Sequence, residues 1–311
     1  MNKSICNSIT VNMKPLYKTT AFLWLMILSL SVFSQDVPLY DTLSKPLLIA
    51  RQFGFTEGAS VDKKGNVFFT DQNNNKIWKY DTKGKLTLFL DSAGRSNGTY
   101  FDNKGNLITC ADEHNQLWSI SPKGKITVIL KDYQGHLMNG PNDVWVDNKG
   151  GIYMTDPYYQ RPWWSRTKSD LDGQKVYYLP KGAAQPIIVI DNFMQPNGIV
   201  GTPDGKHLYC ADIQEKKTYK YDINKDGTLG NRQLFMELGS DGMTLDAKGN
   251  VYLTGHGGIT ICSPQGKKIG YIPINEPSTT NLCFSGKNRK VLFITARTAV
   301  YTLKMKVRGV E

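Results

Sequence analysis

Six residues with a side-chain oxygen recur at one phase of a pattern that repeats along the chain. Five of them stand eight residues before a glycine in a short polar turn, and the sixth lies at nearly the same phase of a degraded copy; they are Glu57, Asn97, Asn142, Asn197, Asp241 and Asn281. Carboxylate and amide oxygens without neighbouring Cys or His are the ligands that hard divalent cations prefer. Glu57 and Asp241 could neutralise such an ion. The alternative is that these side chains only bind backbone groups where strands begin, which fits a single asparagine better than the whole set.

The repeat that carries these residues is a hairpin, in which a polar turn joins two runs of β-branched and aromatic residues. The turn glycines stand at positions 65, 105, 150, 205 and 249, which are 40, 45, 55 and 44 residues apart. A period of about 40 to 50 residues is typical of propellers and related arrays. Two further short strands follow most hairpins. The six copies therefore predict an all-β fold, a six-bladed β-propeller with four antiparallel strands per blade.

In such a propeller the six oxygen-bearing residues begin the innermost strands, so they would meet at one end of the central channel. The turn glycines are expected to adopt positive φ. We expect residues 47–50 to add the outer strand to the last blade and so to close the ring.

The N-terminal region indicates export. The composition, with 40% hydrophobic and 21% charged residues, excludes a disordered chain and a polytopic membrane protein. Residues 21–33 form an unbroken apolar run preceded by Lys14 and Lys18. The run is shorter than the roughly 20 residues of a transmembrane helix, so it is typical of a signal peptide. We predict that residues 1–34 are removed, leaving residues 35–311 as one propeller domain in the periplasm or the medium; an uncleaved anchor helix is the alternative.

Charge and cysteine placement restrict the partners. Removal of three lysines with residues 1–34 lowers the formal net charge from +11 to +8, and the remaining basic residues are scattered through turns. This argues against nucleic acid as a partner. We further expect a monomer or weak oligomer that binds no membrane after signal cleavage. Cys110 and Cys210 fall in equivalent strands of blades two and four, which are not neighbours. We therefore predict buried free thiols at Cys110, Cys210, Cys262 and Cys283.

Several segments together resemble the senescence-marker-protein/gluconolactonase/luciferin-regenerating-enzyme-like family, in its bacterial gluconolactonase branch. They follow the family's order over nearly all of the mature chain and are residues 55–58 (FTEG), 139–144 (NGPNDV), 155–158 (TDPY), 195–199 (QPNGI), 241–246 (DGMTLD) and 280–284 (TNLCF).

The resemblance implies one catalytic divalent cation, usually Ca²⁺, with Zn²⁺, Mg²⁺ or Mn²⁺ as alternatives. Its ligands would be Glu57, Asn197 and Asp241, and Asn142 would lie in or beside the coordination shell and touch substrate. The hypothesis that follows is lactone hydrolysis, in which the cation polarises the carbonyl and Asp241 serves as general base for water, with a role as nucleophile as the alternative. Further substrate-binding residues are predicted at Asn97, Asn281, Tyr158 and His256.

The expected rim of the pocket is less regular than the ring. The loop after Asp156 is long and carries aromatic and basic residues that suit a polar ring-shaped ligand or that simply pack onto the propeller face; they are Tyr158, Tyr159, Arg161, Trp163, Trp164 and Arg166. His256 and His114 fall on the same rim, either as proton shuttles or as ordinary surface histidines. The animal branch has an arginine and a lysine at two positions that are Gly140 and Met194 here.

Those substitutions leave the substrate open. The first hypothesis is a hydrolase that opens a small-molecule sugar lactone to the aldonic acid. A hydrolase of phosphoesters or organophosphates on the same scaffold, and a non-catalytic propeller that binds sugar or protein, are the alternatives.

Overall fold

The computed structural model describes Met1 and residues 38–41 and 43–310. The remainder of the predicted signal peptide lies outside the described residues, so that segment and the domain boundary stay predictions. The first strand is β1 (Leu47–Ala50).

The strands that follow form six groups in chain order. The first three blades are built from β2 (Thr56–Val61), β3 (Val67–Asp71), β4 (Lys76–Tyr80) and β5 (Leu86–Asp91); β6 (Ser96–Phe101), β7 (Leu107–Ala111), β8 (Gln116–Ile120) and β9 (Ile126–Leu130); and β10 (Val144–Val146), β11 (Ile152–Asp156), β12 (Gln174–Leu179) and β13 (Ile187–Phe193). The last three are built from β14 (Pro196–Gly201), β15 (His207–Asp212), β16 (Lys217–Ile223) and β17 (Leu229–Met236); β18 (Met243–Leu245), β19 (Val251–Cys262) and β20 (Lys268–Ser278); and β21 (Asn281–Ser285), β22 (Val291–Ala296) and β23 (Ala299–Lys304).

Each group is a separate antiparallel sheet, which confirms the predicted six-bladed propeller. In blade five the long strand β19 replaces two shorter ones, because its first part pairs with β18 and its second part pairs with β20. A short 3-10 turn, Asp112–His114, interrupts this β structure. No helix in the described parts of the chain is long and apolar enough to cross a membrane.

Ring closure follows the prediction. β1 pairs with β23, so the N-terminal strand becomes the outer strand of blade six, whose other strands come from the C-terminal end of the chain. The first and last strands of the propeller are thereby held in one sheet, which prevents the ring from opening between blades six and one.

The repeated turns lie at the opposite end of the innermost strands from the six oxygen-bearing residues. All five turn glycines have positive φ, between 68° and 92°. In the first turn the Asp62 carboxylate accepts hydrogen bonds from the backbone N–H groups of Lys64 and Asn66, both at 2.9 Å. The aspartate therefore fixes the turn that glycine makes sterically possible.

The core lies between neighbouring blades. Phe284 of blade six is fully buried and meets Tyr252 of blade five edge to face, with ring centroids 5.2 Å apart. The four cysteines predicted to be buried free thiols are buried and unbridged, as expected: Cys110, Cys210, Cys262 and Cys283.

Candidate metal centre and active site

The structure places all six oxygen-bearing residues where the phase of the repeat predicts them. Each one begins the innermost strand of its blade or stands within two residues of it: Glu57 in β2, Asn97 in β6, Asn142 before β10, Asn197 in β14, Asp241 before β18 and Asn281 in β21. Five of these side chains are buried. Asp241 alone among the six keeps part of its surface accessible. We call this set the axial ring.

Close backbone approach explains the residue that follows each member of the axial ring. In blades one, two, four and five that residue is glycine, namely Gly58, Gly98, Gly198 and Gly242. A Cβ added at Gly98 would lie 2.5 Å from the carbonyl oxygen of Asn142 in the next blade. The Gly98 N–H instead donates to that oxygen at 2.7 Å. The glycines therefore let adjacent blades join directly at the axis, a signal that the sequence carried and that the phase count overlooked.

In blades three, five and six a buried threonine of the second strand fixes the same backbone. The Thr155 hydroxyl accepts the N–H of Asp143 at 3.0 Å, and the Thr254 hydroxyl accepts the N–H of Gly242 at 2.8 Å. In blade six the Thr295 hydroxyl accepts the N–H of Asn281 at 2.8 Å. These threonines stand at the end of the repeated sequence pattern. The pattern therefore contains both the oxygen donors of the axial ring and the threonines that fix the backbone of those donors.

Two carboxyl groups meet inside the axial ring. The side chains of Glu57 and Asp241 lie close enough that each shifts the pKa of the other, and Asn197 lowers the pKa of Asp241. Burial, and next the nearby Asp241 carboxylate, raise the pKa of Glu57 well above its usual range. Burial also raises the pKa of Asp241, to about 6, although hydrogen bonds from Glu57 and Asn197 oppose the shift. Two acids held together in this way repel each other when both are ionised, and a cation between them would remove that repulsion.

The amide of Asn197 supplies a second, independent indication of a cation. Its Oδ1 atom is buried and has no hydrogen-bond partner, whereas its Nδ2 donates to the Tyr159 hydroxyl at 3.2 Å. A buried carbonyl oxygen without a partner is costly unless it binds water or an ion. Within residues 38–41 and 43–310 no group of three His, Cys, Asp or Glu side chains is placed to hold a metal ion. A cation at the ring would therefore need amide oxygens as further ligands. The donor set fits a hard cation.

Asp143 places a third carboxylate behind the ring. It occupies the position that is glycine in four other blades, and it accepts N–H groups from Val144 at 2.9 Å and Ile199 at 3.3 Å. Burial raises its pKa to about 7. A cavity of 290 Å³ in the channel on the turn side of the ring is lined in part by Thr99, Asp143 and Asn281. Asp143 therefore borders this cavity, as Asn281 of the axial ring also does, and it joins blade three to blade four.

The long loop of blade three covers the ring, and the aromatic residue that reaches a predicted ligand is Tyr159. The Tyr158 hydroxyl instead donates to Gln160 at 2.5 Å on the exposed side of the loop. Trp164 fills the space beside Gly140, where a Cβ would lie 2.8 Å from its ring. The predicted role of Tyr158 thus stays a prediction, while Tyr159 is the residue that sequence reasoning placed only on the rim.

The two rim histidines lie in ordinary surface surroundings. His256 is exposed, and its Nδ1 lies 3.2 Å from the carbonyl oxygen of Pro277. His114 is half exposed and stacks on Trp118 with ring centroids 5.1 Å apart. A substrate contact by His256 remains a prediction.

Fold and ring together define a six-bladed propeller with a candidate cation site on its axis. Residues 55–298 match the model of the SMP-30/gluconolactonase/LRE-like region. The chain belongs to that family.

Individual relatives agree with this assignment. The chain is 27% identical over 198 residues to a gluconolactonase of Zymomonas mobilis, covering 58% of this chain and 54% of the relative. It is 29% identical over 180 residues to a diisopropyl-fluorophosphatase of Loligo vulgaris, covering 53% and 56%. A solved structure described as a candidate gluconolactonase superposes with a TM-score of 0.81 at 26% identity, covering 88% of this chain and 96% of that one. The chain spans about half the length of the curated relatives it matches.

The close approach at the ring predicts a steric effect. Gly98→Ala should lower the free energy of unfolding by about 1–3 kcal/mol, because the new methyl group would meet the backbone of Asn142 and the Asp143 carboxylate. Urea unfolding measures the change. Gly255→Ala is the matched control, since a Cβ there meets nothing within 4 Å. Equal stability of the two variants would contradict the steric explanation.

The raised acid pKa values predict how stability depends on pH in the presence of a chelator. The folded-state pKa values of Asp241 and Asp143 rise from 3.8 to about 6 and about 7. The folded protein therefore holds more protons than the unfolded chain in this interval, and its stability should fall as the pH rises from about 4 to about 7. Scanning calorimetry measures the midpoint. The Glu57→Gln/Asp241→Asn double variant should show a shallower slope; a midpoint that rises across the interval would contradict the linkage.

Proposed function

We propose that this chain is a divalent-cation-dependent hydrolase of sugar lactones. The observation that carries the proposal is the unpartnered, buried Oδ1 of Asn197 beside the paired carboxyl groups of Glu57 and Asp241. A positive charge would suit these three groups, and they lie at the end of the axis where the blade-three loop, with its polar and aromatic residues, covers the channel.

The residues that would hold the cation are Glu57, Asn142, Asn197 and Asp241. Their oxygens suit Ca²⁺ better than a metal that prefers nitrogen or sulfur, and Zn²⁺, Mg²⁺ or Mn²⁺ are alternatives. When bound, the cation supplies Lewis-acid polarisation of the lactone carbonyl.

The chemistry assigned to the protein's own groups begins with Asp241. Asp241 is the least buried of the six ring members, and we assign to its carboxylate the removal of a proton from the attacking water as the new C–O bond forms. The ring C–O bond then breaks, and the proton passes to the departing oxygen, which becomes the hydroxyl of the aldonic acid. Water and lactone are the only reactants, and the side chains end in their starting states.

The proposed substrate class rests on the polar lining of the site and on the gluconolactonase relative. Asn97, Asn142 and Asn281 present amide groups that can bind the hydroxyl groups of a sugar lactone. Organophosphates are the second candidate, favoured by the match to the diisopropyl-fluorophosphatase.

The function is tested with chelated protein to which Ca²⁺, Zn²⁺, Mg²⁺ or Mn²⁺ is returned separately. Glucono-1,5-lactone hydrolysis, followed with a pH indicator, should disappear with chelator and return with one cation. That cation should also raise the melting temperature, because it binds only the folded state. Asp241→Asn should lower kcat by about 10² to 10⁴-fold with an unchanged circular dichroism spectrum.

Two outcomes would contradict the assignment. Full activity of Asp241→Asn would remove Asp241 as the base. Cation binding without turnover of any lactone, but with turnover of diisopropyl fluorophosphate, would replace the lactone by an organophosphate. Asp222→Asn is the control, because Asp222 pairs with His207 on blade four, away from the ring.

We also propose that the chain is exported after removal of residues 1–34, which the apolar run at 21–33 supports. Mass measurement of the protein recovered from a bacterial periplasm or culture medium should give a mature chain that begins at Gln35. Recovery of the full-length chain in the membrane fraction would contradict cleavage and favour an anchor.

A further inference from the structure

An aspartate recurs at or just after the end of the second strand in four blades. In three of them its carboxylate accepts hydrogen bonds from two backbone N–H groups of the same blade. Asp71 accepts the N–H groups of Gly54 at 2.8 Å and Phe55 at 3.1 Å. Asp156 binds the corresponding N–H groups of Asn139 and Gly140, and Asp212 binds those of Met194 and Gln195. In each case the carboxylate holds the loop that leads into the innermost strand of its own blade.

Asp112, the equivalent residue of blade two, is used differently. Its Oδ2 accepts the Nε–H of Arg161 at 2.8 Å and the Nε2–H of Gln72 at 2.7 Å. In blade two one of the two corresponding N–H groups is bound by another side chain, because the N–H of Arg95 donates to the Asn75 side chain at 2.7 Å. The buried carboxylate of Asp112 therefore binds the long loop of blade three instead of the backbone of its own blade.

A second contact strengthens the attachment at the same point. The indole N–H of Trp164 donates to the Asp112 carbonyl oxygen at 3.0 Å. Asp112 is almost fully buried, and the Arg161 side chain is only 20% exposed. A charged pair in such surroundings is screened weakly by solvent, and loss of either partner leaves a buried charge unpaired.

The attached loop carries Tyr159 to the axial ring. The Arg161 guanidinium lies over the Tyr159 ring, 5.3 Å from its centroid. The Tyr159 oxygen accepts the Asn197 amide at 3.2 Å, which leaves the Tyr159 O–H free to donate. A donor is therefore held beside the amide of Asn197, which is one of the proposed cation ligands.

We propose that the Asp112–Arg161 ion pair is a latch that holds the blade-three loop over the ring, so that the Tyr159 hydroxyl donates a hydrogen bond to the bound lactone. Tyr159 is the substrate-contacting residue, whereas Asp112 and Arg161 are positioning residues that act through it. The role of Tyr159 rests on the proposed function, but the latch does not.

Limited proteolysis tests the latch without any activity measurement. The loop contains trypsin sites after Arg166 and Lys168, while Arg161 precedes Pro162 and is a poor site. Asp112→Asn and Arg161→Met should each be cut in this loop at least tenfold faster than the wild type, whereas Asp222→Asn, which also loses a paired carboxylate, should be cut at the wild-type rate. If Asp112→Asn fails to fold, Arg161→Met alone decides. Wild-type rates in the folded latch variants would refute the latch.

Kinetic coupling separates positioning from a general structural effect. With glucono-1,5-lactone, Tyr159→Phe should lower kcat by about 10²-fold, the effect of losing one transition-state donor. Asp112→Asn should lower it similarly, and Tyr159→Phe should then cause less than about a threefold further loss, because coupled residues are not additive. Independent, multiplying losses would refute positioning through Tyr159. A wild type inactive on lactones would refute the substrate contact together with the proposed function, while the proteolysis result would still decide the latch.

Discussion

The candidate site depends on how closely the innermost strands approach one another at the axis. Six strands can bring their first side chains to one point only if their backbones approach closely, and in four blades a side chain directly after the donor would meet atoms of the next blade. Glycine at positions 58, 98, 198 and 242 removes that obstacle. Hydrogen bonds between neighbouring blades, such as Gly98 N–H to the Asn142 carbonyl, then use the space that a side chain would have filled. Blades three and six depart from this rule: Asp143 uses its carboxylate to bind the next blade, and Leu282 follows Asn281.

The same closeness gives the ring its electrostatic character. Glu57 and Asp241 are pressed together in a site where burial raises the pKa of both groups. Such a pair opposes folding at neutral pH unless something compensates it, and the unpartnered amide oxygen of Asn197 points to the same deficiency. The closed ring, with its N-terminal strand paired to β23, supplies the rigidity to hold these groups in place. The stable scaffold thus holds together side chains that would otherwise repel one another.

Much of this arrangement could be predicted from the sequence, because the repeat shows which residues occupy equivalent positions in different blades. Once the period and the turn glycines fix the blade boundaries, one phase of the pattern identifies Glu57 and Asp241 as neighbours although 184 positions separate them. The loop of blade three could not be placed in the same way. Its contacts are not repeated, and nothing local shows that Tyr159 rather than Tyr158 turns toward Asn197, or that Arg161 finds Asp112. Such pairings depend on packing across blades, which sequence periodicity does not encode.

The departure at Asp112 shows how a repeat acquires a specific function. In blades one, three and four the repeated aspartate binds backbone N–H groups of its own blade. The aspartate can bind another part of the chain only where a different group accepts hydrogen bonds from that backbone. Asn75 meets the condition in blade two by accepting the N–H of Arg95. The freed carboxylate remains buried and charged, and it therefore requires a cation of its own, which Arg161 provides from another blade. Asp112 can in this way bind the blade-three loop, whose contacts are not part of the repeat. The shared repeat of the blades places the oxygen donors of the axial ring. The position of the blade-three loop over the site depends instead on Asp112, where blade two differs from the other blades.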